Sequence, residues 1–152
     1  MTIEQAIRER LLELTPLTAL VSSRVYQLKL PQAPTLPAVR LQQISEVDTF
    51  HLRGPNRLLI TRLQVDAYAN EASGTNPYDV AAAVARAIHG NGLGPTATGL
   101  SGWFGNIGGS PVAIRVEMIK RVTRQPLYEA DELRLVRIRQ DYRVHWFEWL
   151  GP

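Results

Sequence analysis

The side chains best suited to do chemistry in this sequence are arginines that alternate with other residues near its end. Arg137, Arg139 and Arg143 share one side of a predicted strand with Asp141, while mostly apolar residues take the positions between them. A guanidinium group pairs with carboxylates and phosphates through a planar fork of donors. The pattern therefore predicts a surface that binds acidic groups. The predicted polar face comprises Arg40, Arg62, Asp66, Arg115, Glu117, Arg121, Arg137, Arg139, Asp141 and Arg143.

Two interpretations of this face stand side by side. Antiparallel sheets often leave one face in water, and the face is then only a solvated surface. Alternatively, its arginines line a seam between subunits or a channel that contains DNA, with Arg137, Arg139 and Arg143 as the first candidates. The acids between them argue against a tight grip on duplex DNA, which requires a net basic stripe.

The remaining reactive side chains form no catalytic pattern. His51, His89 and His145 belong to different predicted elements and lack metal-ligand spacing. Asp66 and Asp141 alternate with arginines, so ion pairing is their simpler role. No serine stands in a nucleophile-elbow context. The sequence predicts no enzyme, no metal and no cofactor.

A glycine-rich tract at about 90–111 is predicted to be a loop. It follows a helix, whereas a dinucleotide-binding fingerprint lies between a strand and a following helix, and no lysine has P-loop spacing. Trp103 and Phe104 stand between glycines in this tract. Two large rings in such a loop either pack onto the domain or contact a partner.

Helix and strand signals show what must position these residues. Apolar residues at helical spacing predict a first helix up to Leu14, a short second helix from the Thr15-Pro16 cap to about Val21, and a third from Asn76-Pro77 to Gly90. The predicted strands run from Ala38 to Val47, from Leu58 to about Ala69, from Val112 to about Arg124 and from Leu133 to about Phe147, with a brief strand at Val25-Tyr26.

Joined in order, these elements predict an α+β fold. We expect a single domain over residues 1–152, with an antiparallel sheet of about four strands and two main helices on one face, in the order α(α)-β-β-α-β-β. A loop of about ten residues is expected to join the first two long strands. The prolines from Leu30 to Pro37 predict an extended surface segment.

Composition limits the function classes. The chain has 152 residues and no cysteine, which excludes disulfides and thiolate metal sites. Its net charge of +3 gives little general attraction to nucleic acid. No apolar run approaches the roughly 18 residues of a membrane span, and the start lacks a secretory pattern. We therefore expect a soluble protein made in the cytoplasm, with no membrane partner.

Four stretches carry a resemblance, and they follow one another in a definite order. They are Ile3–Arg8 with Leu17–Leu20, Ser23–Gln32, Leu36–Val39 leading into Leu41–Ser45, and Arg62–Ala69. Together they resemble the small tail-completion or tail-terminator proteins of long-tailed phages and gene transfer agents. The tract from Gly90 to Pro111 looks longer than the family's usual loop, and the Trp146–Trp149 ending is unusually aromatic.

The resemblance implies a structural virion protein. Its family forms a ring, commonly hexameric, that caps the head-proximal end of the tail tube, ends tube growth and joins the tail to the head connector. The implied partners are further copies of the chain, the tail-tube protein, connector and neck proteins, and DNA that passes through the channel without sequence-specific binding. The implied location is the tail of a particle assembled in the host cytoplasm. The candidate contact residues are Arg40, Arg62, Arg115, Arg137, Arg139, Arg143, Trp103 and Phe104.

Two other functions stay open at this point. A head–tail neck or adaptor protein has the same chemistry and a different ring partner. A nucleic-acid-binding module uses the arginine-rich face directly, and it requires DNA affinity that falls steeply with salt.

Overall fold

The computed structural model describes residues 3–89, 104–106, 113–129 and 135–149. The helices are α1 (Ile3–Leu12), α2 (Thr15–Val21) and α3 (Pro77–His89), with a turn of 3-10 helix at Glu71–Ser73. The strands are β1 (Val25–Gln27), β2 (Ala38–His51), β3 (Gly54–Ala69), β4 (Phe104–Asn106), β5 (Ala113–Glu129) and β6 (Leu135–Trp149). No helix in these ranges is long and apolar enough to span a membrane.

The helices begin largely where the sequence predicts. In α3, the Asn76 side-chain oxygen accepts the Tyr78 N–H at 2.9 Å, so asparagine and Pro77 start the helix together. The predicted hydroxyl cap of α2 is wrong. Leu14 occupies the cap position without a side-chain hydrogen bond, and Thr15 is already helical.

The six strands form one mixed sheet in the order β1-β2-β3-β6-β5-β4. The α+β class is confirmed, but the prediction of about four antiparallel strands is not. β1 runs parallel to β2, pairing Val25 with Val39, and the short β4 adds an antiparallel edge beside β5. The proline-rich segment after β1 returns the chain to the start of β2, which a parallel pair requires.

Two connections are shorter than predicted. Only Leu52 and Arg53 separate β2 from β3, because Gly54 begins β3 at a φ of +117°, a region that favours glycine. β5 continues past the predicted end at Arg124 to Glu129. It includes Pro126, which a strand tolerates where it has a neighbour on one side only.

Part of the predicted glycine-rich loop is a strand. Phe104–Asn106 form β4 and pair with Ala113–Arg115. Trp103 and the rest of the tract lie outside the described residues, and the Phe104 side chain is not described.

The helices pack on one face of the sheet and form its core. Ile3, Ile7 and Leu11 of α1 and Val84 and Ile88 of α3 are fully buried. The sheet buries Val39, Leu41, Leu63, Val65, Ala67, Ile138, Tyr142, Val144 and Trp146 beneath them. The opposite face, which we call the outer face, carries the candidate functional residues.

Candidate interaction surface

Strand pairing arranges the outer face in rows that cross β2, β3, β6 and β5. Neighbours in a row are cross-strand partners, whose side chains are close enough to interact. The rows, from the core toward the β2–β3 turn, are Arg40, Asp66, Arg139 and Gln125; then Gln42, Gln64, Asp141 and Thr123; then Ser45, Arg62, Arg143 and Lys120; then Val47, Ile60, His145 and Met118.

Asp66 is the centre of a buried charge cluster. Its side chain is fully buried on the outer face, and its Oδ2 accepts hydrogen bonds from Arg40 Nη2 at 2.5 Å and from Gln64 Nε2 at 2.8 Å. Arg139 Nε lies 3.6 Å from the other carboxylate oxygen. Two guanidinium groups therefore lie over one carboxylate and shield it from water. A buried charge is tolerated only when it is paired in this way.

Tyr68 extends this cluster toward the start of β2. The guanidinium carbons of Arg40 and Arg137 lie 5.8 and 5.9 Å from its ring centroid, within cation–π range. Burial raises the pKa of Tyr68, and the hydrogen bond from Arg137 opposes this rise. We call this set the paired network; it consists of Arg40, Gln64, Asp66, Tyr68, Arg137 and Arg139.

Asp141 lies at the border of the part of the outer face in which the arginines are paired. Its Oδ2 accepts Arg62 Nη2 at 2.9 Å and the Thr123 hydroxyl at 3.3 Å. Asp141 is nearly buried, but the Arg62 side chain is 58% exposed, so this pair faces water on its basic side. Arg115, at the far end of β5, pairs with Glu117 at 2.6 Å.

In the next row toward the β2–β3 turn, cations lie side by side, and two of them form no ion pair with a described residue. Arg143 lies directly between Arg62 and Lys120 in its row, and Arg143 and Lys120 are exposed. Like charges in directly opposed positions repel each other. Arg143 and Lys120 have no ion-pair partner among the described residues. We call the row Ser45, Arg62, Arg143 and Lys120 the basic row.

Ser45, Arg62 and Arg143 of the basic row line a groove of about 460 Å³. Val47 and Val122 are more than half exposed at the groove, and the neighbouring Met118 is 43% exposed. The lining residues are Ser45, Val47, Ile60, Arg62, Val122, Arg143 and His145. A groove that combines cations with exposed apolar side chains suits a protein segment that carries acidic groups.

The structure divides the predicted polar face. Arg40, Arg137 and Arg139 lie in the paired network, Arg62 stands at its border, and Arg143 lies in the groove. The interface or channel role predicted for these residues, and for Arg115, stays a prediction.

Arg121 is a correction to that face. β5 shifts register twice, between Val116 and Met118 and between Arg121 and Thr123. Arg121 therefore pairs with Tyr142 on the helix face, where its Nη1 donates to Gln140 at 3.2 Å. For the same reason sequence reasoning missed Lys120, which the bulges place on the outer face.

A second polar cluster lies beneath α3. Gln140 is fully buried, donates to the Ala81 carbonyl at 2.9 Å and accepts the Tyr142 hydroxyl at 2.8 Å. Burial raises the pKa of Tyr142 and, aided by Arg121, lowers the pKa of His89. These groups satisfy one another within the core and hold α3 to the sheet.

The three histidines lie apart. His89 ends α3, His51 accepts the Arg53 N–H near the turn, and His145 lines the groove. In the described ranges no three histidine, aspartate or glutamate side chains are grouped so that they could hold a metal ion.

An α+β sheet that exposes a groove and apolar side chains on its outer face is typical of a protein that works by contacting other proteins. The fold matches a chain of a solved structure, the virion of a native gene transfer agent (GTA) particle, with a TM-score of 0.65 and 18% identity. The match covers 95% of this chain and 94% of that chain, and it shows a shared fold.

Residues 5–145 match the family described as tail completion protein gp17. The chain therefore belongs to that family, which confirms the family predicted from the four sequence stretches, and it is a structural protein of a phage-type tail. None of the curated proteins compared with the sequence matches it.

Proposed function

We propose that this chain forms a ring at the head-proximal end of a tail tube, where it ends tube growth and joins the tail to the head connector. The observation that carries the proposal is the uncompensated part of the outer face, where the basic row meets exposed apolar side chains. Soluble monomers rarely expose such patches unless a partner covers them.

The exposed apolar residues concentrate near the β2–β3 turn. Val47 is 58% exposed, Phe50 69% and Val122 53%, and Leu52 projects fully from the turn. Val47 and Val122 line the groove, and Phe50 and Leu52 lie nearer the turn. Covering them in a subunit contact removes apolar surface from water at about 25 cal/mol per Å². A ring requires that one surface of each copy meets a different surface of the next.

The proposal assigns roles to the candidate residues. Arg62 and Arg143 contact a neighbouring subunit, because they are exposed and only Arg62 has an internal partner. Arg40, Arg137 and Arg139 hold the face in shape and border the channel, through which DNA passes without sequence-specific binding. Arg115, Trp103 and Phe104 are assigned to contacts with the tail-tube protein or with connector and neck proteins.

The test combines solution mass with tube assembly. Light scattering at several concentrations should show the mass rising from monomer to a closed ring. Added to growing tail tubes, the chain should appear at one end only in electron micrographs, and the tubes should become shorter as more chain is added. Unchanged tube lengths, with the chain bound only to connectors, would favour a neck adaptor instead.

The basic row specifically favours one alternative, a nucleic-acid-binding module. That function requires strong affinity of the monomer for DNA, which weakens steeply as salt rises. Fluorescence anisotropy with labelled duplex at low and physiological salt separates the two functions. Because ion pairs with Asp66 and Asp141 engage Arg40, Arg139 and Arg62, we expect weaker binding than a continuous basic stripe would give.

A further inference from the structure

The end of the β2–β3 hairpin is exposed on both faces. All five residues from Ile44 to Asp48 are exposed, so no described helix covers this part of β2 and no other described segment packs on its opposite side. We call the segment Ile44–His51, with its β3 partners Gly54–Arg62, the ribbon. Its two faces differ in chemistry.

The front of the ribbon continues the outer face and is basic. Ser45 and Val47 pair with Arg62 and Ile60, and beyond them lie Arg143, Lys120 and His145. Arg62 and Arg143 line the groove and Lys120 lies beside it, and among the described residues Asp141 is the carboxylate nearest to them.

The reverse of the ribbon is acidic. The bulge after Gln43 sets Glu46 opposite Thr61 and Asp48 opposite Leu59, on the helix side of the sheet. Glu46 accepts the Thr61 hydroxyl at 3.1 Å, and Thr61 in turn accepts Trp146 Nε1 at 2.9 Å. Neither acid forms an ion pair with a described residue. Arg53 and Arg57 lie closer to the turn.

We propose that the groove of one copy receives the reverse of the ribbon of the next, so that Glu46 and Asp48 face Arg143 and Lys120 of the neighbouring copy. This contact rests on the proposed ring and supplies its subunit seam. The occupant is a second copy of this chain, because one thin element carries complementary charge on its two sides. The contact is heterologous and repeats around a closed ring.

The apolar residues favour a protein occupant over a phosphate backbone. Val47 and Val122 border the cations on the front, and Phe50 and Leu52 project near the turn. A neighbouring strand covers such residues, whereas a phosphate chain leaves them in water. A partner with acidic groups and exposed aromatic rings would complement this combination of cations and apolar surface.

Paired charge reversals test the contact. The front variant is Lys120→Glu with Arg143→Glu, and the reverse variant is Glu46→Lys with Asp48→Lys. Each variant alone places like charges across the seam. We therefore expect each variant to need a concentration at least roughly tenfold higher than the wild-type chain to form rings. An equimolar mixture restores opposite charges at every seam, and rings should return with the two variants alternating.

Arg86→Glu is the matched control, because it reverses an exposed charge on α3, outside the proposed contact. Its ring formation should equal that of the wild-type chain. Circular dichroism and thermal unfolding of each variant establish that the fold persists. High salt should weaken wild-type assembly, since screening shortens the reach of exposed charges to about 3 Å at 1 M.

The outcomes separate the two proposals. A wild-type chain that assembles while the front and reverse variants also assemble would overturn the ribbon contact and leave the ring proposal standing. A wild-type chain that forms no ring, alone or on tube ends, would refute both. Front variants that lose DNA binding but keep assembly would assign the groove to nucleic acid and overturn the contact. Rings that return when the front and reverse variants are mixed would support the ribbon contact.

Discussion

The outer face contains two regions that are built from the same residue type and behave differently. In the paired network, Arg40 and Arg139 lie over a fully buried Asp66, and their own side chains are 19% and 31% exposed. In the basic row, Arg62 is 58% exposed, and Arg143 has no ion-pair partner in the described ranges. Arginine is therefore paired within the chain in one region and exposed to solvent in the other.

What separates the regions is how their cations are paired, although each region holds three cations beside one carboxylate. Each arginine of the paired network contacts Asp66 or Tyr68 within the chain. The basic row places three cations side by side and depends on Asp141 from the adjacent row. Such an arrangement stabilises a monomer poorly and suits a surface that another chain completes.

The largest expected effect breaks the paired network. Asp66→Ala leaves Arg40 and Gln64 without their shared acceptor and Arg139 without its counter-ion, and loss of one partner of a buried pair costs several kcal/mol. We expect about 3 kcal/mol of lost stability, at the low end of that range because both arginines keep some hydration. Urea unfolding measures it.

Asp48→Ala is the control for this substitution. Asp48 is also a strand aspartate, but it is exposed. Its removal should change the free energy of unfolding by no more than about 0.5 kcal/mol. Equal losses for both variants would mean that the paired network does not stabilise the chain.

The second effect concerns the boundary between the regions. Glu4 of α1 is buried, and its carboxylate accepts the N–H of Gln43 at 3.1 Å, where β2 bulges and its later residues change face. Glu4→Ala leaves that N–H without its acceptor, which costs about 1–3 kcal/mol. Glu4→Gln keeps an acceptor oxygen and should lose much less.

The pH dependence of these variants has a definite sign. Burial raises the pKa of Glu4 above its ordinary value of 4.5, against the effect of the Gln43 N–H. The folded state therefore favours the protonated acid. The stability from this preference is complete below pH 4.5 and is lost as pH rises through the raised pKa. The free energy of unfolding of Glu4→Gln should therefore increase relative to that of the wild type as pH rises across this window. If the difference in free energy of unfolding between Glu4→Gln and the wild type did not change with pH, burial of the Glu4 carboxyl would be contradicted.

The sequence predicts those parts of the face whose strands pair without interruption. β3 and β6 stay in register from Leu58 with Phe147 to Ala69 with Val136, so simple alternation places Arg62, Asp66, Arg139 and Arg143 correctly. Alternation also predicts the core residues of these strands, because each position keeps its face.

Simple alternation fails in strands that contain a bulge. An extra residue reverses the faces of all that follow, and it leaves no mark in composition. In β5 this put Arg121 beneath α3 and Lys120 in the basic row. In β2 it gave the ribbon an acidic reverse, and the tight turn before Gly54 extended the ribbon beyond the predicted strand end. The partners of the face came from family resemblance, since alternation shows a surface without showing what covers it.

The smallest expected effect has the opposite sign and sharpens the comparison most. Arg143→Gln removes the central charge of the basic row while Arg62 keeps its bond to Asp141. Relief of repulsion from Arg62 and Lys120 should stabilise the monomer by about 0.2–0.5 kcal/mol at low salt, and the gain should fade as salt screens the row. Thermal unfolding at two salt concentrations measures it, with Arg86→Gln on exposed α3 surface as the control. A residue whose removal stabilises the monomer while it weakens ring formation is one whose charge serves the assembly. A loss of monomer stability instead would mean that Arg143 belongs with the paired network, and the distinction between the two regions would fail.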